Sequence, residues 1–299
     1  MKDCGVFIDP YTDFGFKRIF GWDGNVDLLI DFLNTILQPD QLIVSLKYLN
    51  SEQPGILKGE RKAVFDTYCE DEAGNKFIIE LQRIREEFFK DRSLFYSTIP
   101  IRGQAKSGEW NFKLKQTLII CIMDFVFDDQ DSEEMIHEVT LIDKASGKVF
   151  NENLTFWYLE MPKFKKIITE VNNRLDKWFF ILNNLAGLQE IPLSLKSDPI
   201  FKKLFMEAEI SNYSEEQAEA YYASMKERWD RFAIEETARK EGERKGKLEG
   251  KLEGKLEGNL EGRLENSLAI ALQMKRANEP IEKIALYTGL EINRIEELR

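Results

Sequence analysis

The chain has 299 residues, 43% hydrophobic and 12% aromatic, enough apolar content for one large or two ordinary folded domains and too much for global disorder. Its 18 Gly and 8 Pro exclude a collagen-like or proline-rich fibre. With 53 acidic against 42 basic side chains the net charge is -11, so charge alone cannot coat nucleic acid, and any such contact is local or metal-mediated.

In chain order, apolar residues at helical spacing (Phe14, Phe16, Ile19 and Phe20, then Leu28, Leu29, Phe32, Leu33, Ile36 and Leu37) predict two helices interrupted at Gly21 to Gly24. Leu42 to Leu49 reads as a strand. Residues 63–69 and 76–82, joined by Asp71-Glu72-Ala73-Gly74-Asn75, read as a β-hairpin. Glu86 to Lys106 is helical in composition. Gln116 to Phe127, Val139 to Leu141 and Phe156 to Leu159 supply further strands, giving a mixed α/β core. The longest apolar run, Leu118 to Phe127, is too short to span a bilayer, and no signal peptide is visible.

From Lys163 to about Phe232 the pattern is helical throughout. Glu241 to Glu265 repeats Lys-Leu-Glu-Gly, with Leu248, Leu252, Leu256, Leu260 and Leu264 four apart. A four-residue step drifts ~40° per repeat on an α-helix, so the leucines wrap round the axis instead of forming one coiled-coil seam. A glycine in each repeat costs about 1 kcal/mol against alanine, which predicts a linker of marginal helicity whose repeat number can vary. Beyond it, residues 280–295 read helix, Thr-Gly-Leu turn, helix. That pattern fits DNA reading or pairing with a partner helix, and its second helix offers only Arg294 and Arg299 as basic groups.

Cys4, Cys69 and Cys121 lie far apart with no C-x-x-C pair, which argues against a disulfide framework or structural zinc and for a reducing cytosol. His137 stands alone, so poly-histidine metal sites are excluded and chemistry falls to carboxylates and amides. Beside an acidic stretch, it is expected at the surface, and Cys69 is expected as a buried filler. Asp66 lies 14 residues before Glu80, a separation compatible with antiparallel pairing across the turn. Glu80 and Gln82 leave one face of their strand while Ile79 and Leu81 point into the core. Two carboxylates and an amide converging there suit a hard divalent cation such as Mg²⁺. The same pattern also fits the solvated rim of a half-exposed hairpin. Asp13 and Lys17, one helical turn apart, fit either a brace for the site or an exposed ion pair.

Asp66 with Ile78-Ile79-Glu80-Leu81-Gln82 resembles the D…(D/E)-x-K core of the PD-(D/E)XK nuclease superfamily, in the variant with glutamine for lysine. Asp13-Phe14-Gly15-Phe16-Lys17-Arg18-Ile19-Phe20, Arg92, Tyr96, Met123-Asp124-Phe125-Val126-Phe127, the repeats and the terminal helix pair are similar to the Rpn family of recombination-promoting nucleases and transposases. The resemblance implies an α/β, restriction-endonuclease-like mixed sheet flanked by helices, with an α-helical C-terminal half. It also implies metal-dependent DNA cleavage and association with mobile elements. By position, Asp66 and Glu80 are the metal ligands for Mg²⁺ or Mn²⁺, Gln82 replaces the lysine, and Asp13, Lys17, Arg92 and Tyr96 support the site. Since glutamine carries no charge, Arg102 or Lys106 is expected to reach in, and Lys58, Arg61, Lys62, Arg83, Arg85, Arg92, Arg102 and Lys106 to form a basic strip for DNA. The expected organisation is a nuclease-like core at 1–162, an α-helical region at 163–237, the repeat linker at 238–265 and a C-terminal helix pair at 266–299. Cytoplasmic location, no membrane association and self-association through the C-terminal helices complete the expectation. The competing expectation is an inert interaction protein that keeps the fold.

Overall fold

The computed structural model describes residues 5–53, 63–105, 111–127 and 133–298. Helices α1 (Asp13–Phe20) and α2 (Val26–Leu37) form where the apolar spacing predicts them. The Thr12 hydroxyl caps α1 by accepting the Gly15 N–H at 2.9 Å. Strand β1 is short (Leu46–Tyr48), and β2 (Glu52–Gln53) pairs with β3 (Ala63–Val64) in a separate small ladder. The expected strand at 63–69 therefore breaks at Phe65 and Asp66, and β4 (Thr67–Asp71) begins afresh. The hairpin to β5 (Lys76–Gln82) closes as the turn chemistry predicts: Gly74 takes φ +88°, and Asp71 Oδ1 accepts the Asn75 N–H at 2.8 Å.

Helix α3 (Phe89–Arg102) carries the chain over to β6 (Thr117–Met123), which pairs parallel with β5. Strands β7 (Ile136–Ile142) and β8 (Val149–Glu160) follow, β8 parallel to β6 and antiparallel to β7. The six-stranded sheet runs β1-β4-β5-β6-β8-β7. Strand β6 ends at Met123, short of the expected Phe127, because Asp124 and the residues after it leave the ladder.

Both faces of the sheet are covered. Phe77, Ile79, Leu81, Ile120, Ile122 and Leu159 pack with residues of α1, α2, α4 (Arg174–Asn184) and α6 (Pro199–Ala208), the short α5 (Leu193–Lys196) adding Leu195. Trp178 of α4 lies fully buried there, its indole N–H donated to Asp31 Oδ1 at 2.7 Å. On the opposite face Ile78, Ile119, Cys121, Met123 and Tyr158 pack with Phe65, Phe89 and Tyr96. Cys69 is buried, as expected.

Two compact units divide the chain, one ending at Arg228 and the other Trp229–Arg299. The division falls within α7 (Glu215–Arg276), a continuous helix of 62 residues. The repeat is thus helical without a break. Ion pairs such as Lys240–Glu236 (2.8 Å) and Arg239–Glu243 (2.8 Å) one turn apart support its first part. The repeat leucines from Leu248 to Leu260 stay 58–62% exposed. In the second unit α8 (Ile281–Thr288) and α9 (Ile292–Glu297) close on α7 through Ala271, Ile284, Leu290 and Ile295, with Gly289 in the left-handed region between them.

Candidate active site

Strands β5, β6 and β8 run parallel, so their carboxyl ends share one edge of the sheet, the usual ligand-binding edge of such sheets. Glu80 and Gln82 stand at that edge. Continuing the β4–β5 register one step past Thr67 and Ile79 brings Asp66 opposite Glu80, as the sequence separation predicts. The two residues are cross-linked. The Asp66 N–H donates to Glu80 Oε1 at 3.3 Å, and the Leu81 N–H donates to Asp66 Oδ2 at 2.7 Å. These backbone donors orient both carboxyl groups, while Phe65 is tethered by its N–H to Ser51 O at 3.0 Å.

The pair is not the solvated rim of a half-exposed hairpin. Glu80 is 8% exposed and Gln82 6%, because α3 covers the face they project from. Burial pushes the Glu80 carboxyl well above the usual range, the Asp66 charge pushes it further, and the Asp66 N–H and the Arg92 guanidinium oppose them. Asp66 is also raised, by burial first; the Leu81 N–H lowers it, Asp13 raises it, and Arg83 and Lys17 lower it. Asp13 and Lys17 therefore stand within electrostatic reach of Asp66, although they also form a half-exposed ion pair with each other at 2.9 Å.

Gln82 is held at both ends. Its Nε2 donates to Ile84 O at 2.6 Å, and its Oε1 accepts from Arg92 Nη2. Arg92 also pairs with Glu86 Oε2 at 2.6 Å and lies 5.8 Å from the centre of the Tyr96 ring. The Tyr96 hydroxyl is raised by burial and then by Glu80. All seven site residues expected from the sequence thus fall in one neighbourhood.

Several expectations need correction. Arg102 is exposed at the far end of α3, ten residues or ~15 Å from Arg92, and cannot supply the missing charge. Lys106, Lys58, Arg61 and Lys62 lie outside the described residues. His137 is not a free surface residue: its Nε2 lies 3.0 Å from Glu160 Oε2, a buried carboxylate at the end of β8 that also pairs with Lys163 and accepts the Phe127 N–H.

Asp124, the residue after β6, belongs to the resemblance only as part of the strand-end motif, yet it lies at the same edge of the sheet. Burial pushes its carboxyl up to about 6 against the lowering effect of Arg83, and Arg228 Nη2 stands 3.9 Å from it while Arg228 Nη1 pairs with the buried Asp9. The signal was a charged residue directly after an apolar run, at the active edge of a parallel strand.

A buried carboxyl facing a half-buried one, both oxygen donors of like charge, is a donor set that suits a hard divalent cation, with waters completing its shell. Among the described residues no cluster of three or more His, Cys, Asp or Glu is arranged to hold a metal ion. No helix among the described residues is long and apolar enough to cross a membrane.

A family model described as PD-(D/E)XK nuclease family transposase matches residues 10–238 of the chain. No curated protein matches it, and no solved structure does.

Proposed function

The chain belongs to the PD-(D/E)XK nuclease family transposases, and from that premise we propose that it is a divalent-metal-dependent DNA endonuclease of the transposase or recombination-promoting type, working in the cytoplasm. The observation that carries the reading is the Asp66–Glu80 pair, opposed across β4 and β5 at the carboxyl edge and oriented by backbone N–H groups. Asp66 and Glu80 hold Mg²⁺, or Mn²⁺ in its place, and Gln82 occupies the position of the usual lysine. When bound, the cation polarises a phosphate oxygen and lowers the pKa of a coordinated water. The protein's own residues supply the rest. The Leu81 N–H holds Asp66, the Asp66 N–H holds Glu80, and α3 keeps bulk water from the face they share. Hydrolysis joins the water oxygen to phosphorus and breaks the bond to the leaving sugar oxygen, which takes up a proton. Self-association through the helices of the second unit belongs to the same proposal; Leu286 and Tyr287 of α8 are exposed there.

One observation favours a second reading, an inert interaction module with a nuclease fold: Gln82 is neutral and its amide is engaged at both ends. Plasmid nicking with Mg²⁺ or Mn²⁺ against EDTA separates the two. Isosteric Asp66→Asn and Glu80→Gln variants suit these buried positions better than alanine. Cation-dependent cleavage absent from both folded variants is the expected result. Failure of the unaltered protein to cut with either cation leaves the inert module standing.

A further inference from the structure

We propose that Arg92 is a catalytic residue, the cation that meets the scissile phosphate in place of the usual strand lysine, and that Gln82 and Glu86 are positioning residues for it. The inference rests on the nuclease reading above and names the residue that carries the charge.

The guanidinium is held by Gln82 Oε1 on Nη2 and by Glu86 Oε2 on Nη1. The rings of Phe89 and Tyr96, at 5.6 and 5.8 Å, flank it on α3. A guanidinium has five N–H donors, so three stay uncommitted among the described residues. The side chain is 31% exposed while its neighbours Glu80 and Gln82 are buried, so it is positioned at the mouth of the site and open to an incoming anion. Its planar fork suits phosphate oxygens, and it stays charged at any working pH. Gln82 explains itself by the same geometry. A lysine there would present its own ammonium; the amide instead fixes the guanidinium and is itself fixed by Ile84 O.

Two other cations approach the pair. Lys17 is already neutralised by Asp13 at 2.9 Å and is exposed. Arg83 acts on Asp66 and Asp124, whereas Arg92 bonds Gln82 itself, at the position of the usual lysine. A preorganised donor aimed at developing charge is worth about 10²–10³ in kcat, which sets the expected size.

The test is a charge transplant, with DNA nicking under Mn²⁺ as the assay. Arg92→Ala is expected to lower kcat ~100-fold with DNA affinity in EDTA within about twofold, and Gln82→Ala to lower it ~10-fold, because Glu86 still holds the guanidinium. Gln82→Lys in the Arg92→Ala background is expected to recover cleavage to within ~10-fold of the unaltered protein, since it returns the charge to the strand. A purely structural Arg92 would not be rescued in this way. Thermal unfolding of each variant separates folding loss from charge loss. Full activity in Arg92→Ala, or an unrescued double variant that is folded, overturns this inference and leaves the nuclease standing. An unaltered protein that cuts nothing overturns both.

Discussion

At the scale of single residues, the site sets stability against activity. Glu80 is a buried ionisable group facing the half-buried Asp66, and backbone N–H groups donate to both carboxyls. Glu80→Gln keeps the shape and removes one of two repelling charges, so in EDTA the variant is expected to unfold at the same temperature as the unaltered protein or a few degrees higher. On the proposed metal reading the order is expected to reverse with cation present. Binding at 100 times Kd adds about 2.7 kcal/mol to the unaltered protein and much less to the variant. Differential scanning fluorimetry with and without Mg²⁺ reads both; a variant already less stable in EDTA would mean that the carboxylate is a structural group.

At the scale of elements, the outer strands are tied to the active edge by Glu160. Burial raises its carboxyl, but the Lys163 ammonium, the Phe127 N–H and His137 outweigh that and hold it below the usual range. A depressed acid contributes stability that is present above its unfolded pKa and is lost as pH falls through its folded pKa. Acid unfolding of the intact protein is therefore expected to steepen below about pH 4.5, and Glu160→Gln to lose about 1–3 kcal/mol at pH 7 while flattening that limb. Urea titrations at pH 7 and pH 4 measure the difference; parallel losses at both would discount the ionised form. Local elements were legible beforehand because their signals are local: the apolar spacing of α1 and α2, the Asp71–Asn75 turn, and a 14-residue separation that places Asp66 against Glu80. The parallel pairing of β5 with β6 and of β6 with β8 joins segments without a periodic signature of partnership. For that reason α3 as a lid over Glu80 and Gln82 is not legible in composition; the resemblance points to Arg92 as a supporting residue, but composition alone does not separate it from Arg102 on the same helix. His137 was misplaced likewise, since its partner Glu160 is 23 residues away.

At the scale of the whole molecule, a net charge of -11 has to coexist with a polyanionic substrate. Attraction must come from a few placed cations, so the salt dependence of DNA binding is expected to be shallow. Arg85, exposed just beyond β5, is one such group, and Arg85→Ala is expected to reduce the slope of log K against log salt by about one while lowering affinity alike for unrelated sequences. Fluorescence anisotropy across a salt series measures it, and an unchanged slope removes Arg85 from the interface. The second unit raises a different matter. Because Lys-Leu-Glu-Gly sits inside an unbroken helix, each unit gained or lost keeps the helix in phase with its hydrogen bonds. One added unit lengthens it by about 6 Å and turns everything after it by about 40°, so about nine units complete a revolution. Replication slippage across a tandem repeat would then act on the α8–α9 pair as a screw thread, resetting its reach and heading along α7 in fixed steps while every residue of the pair stays the same.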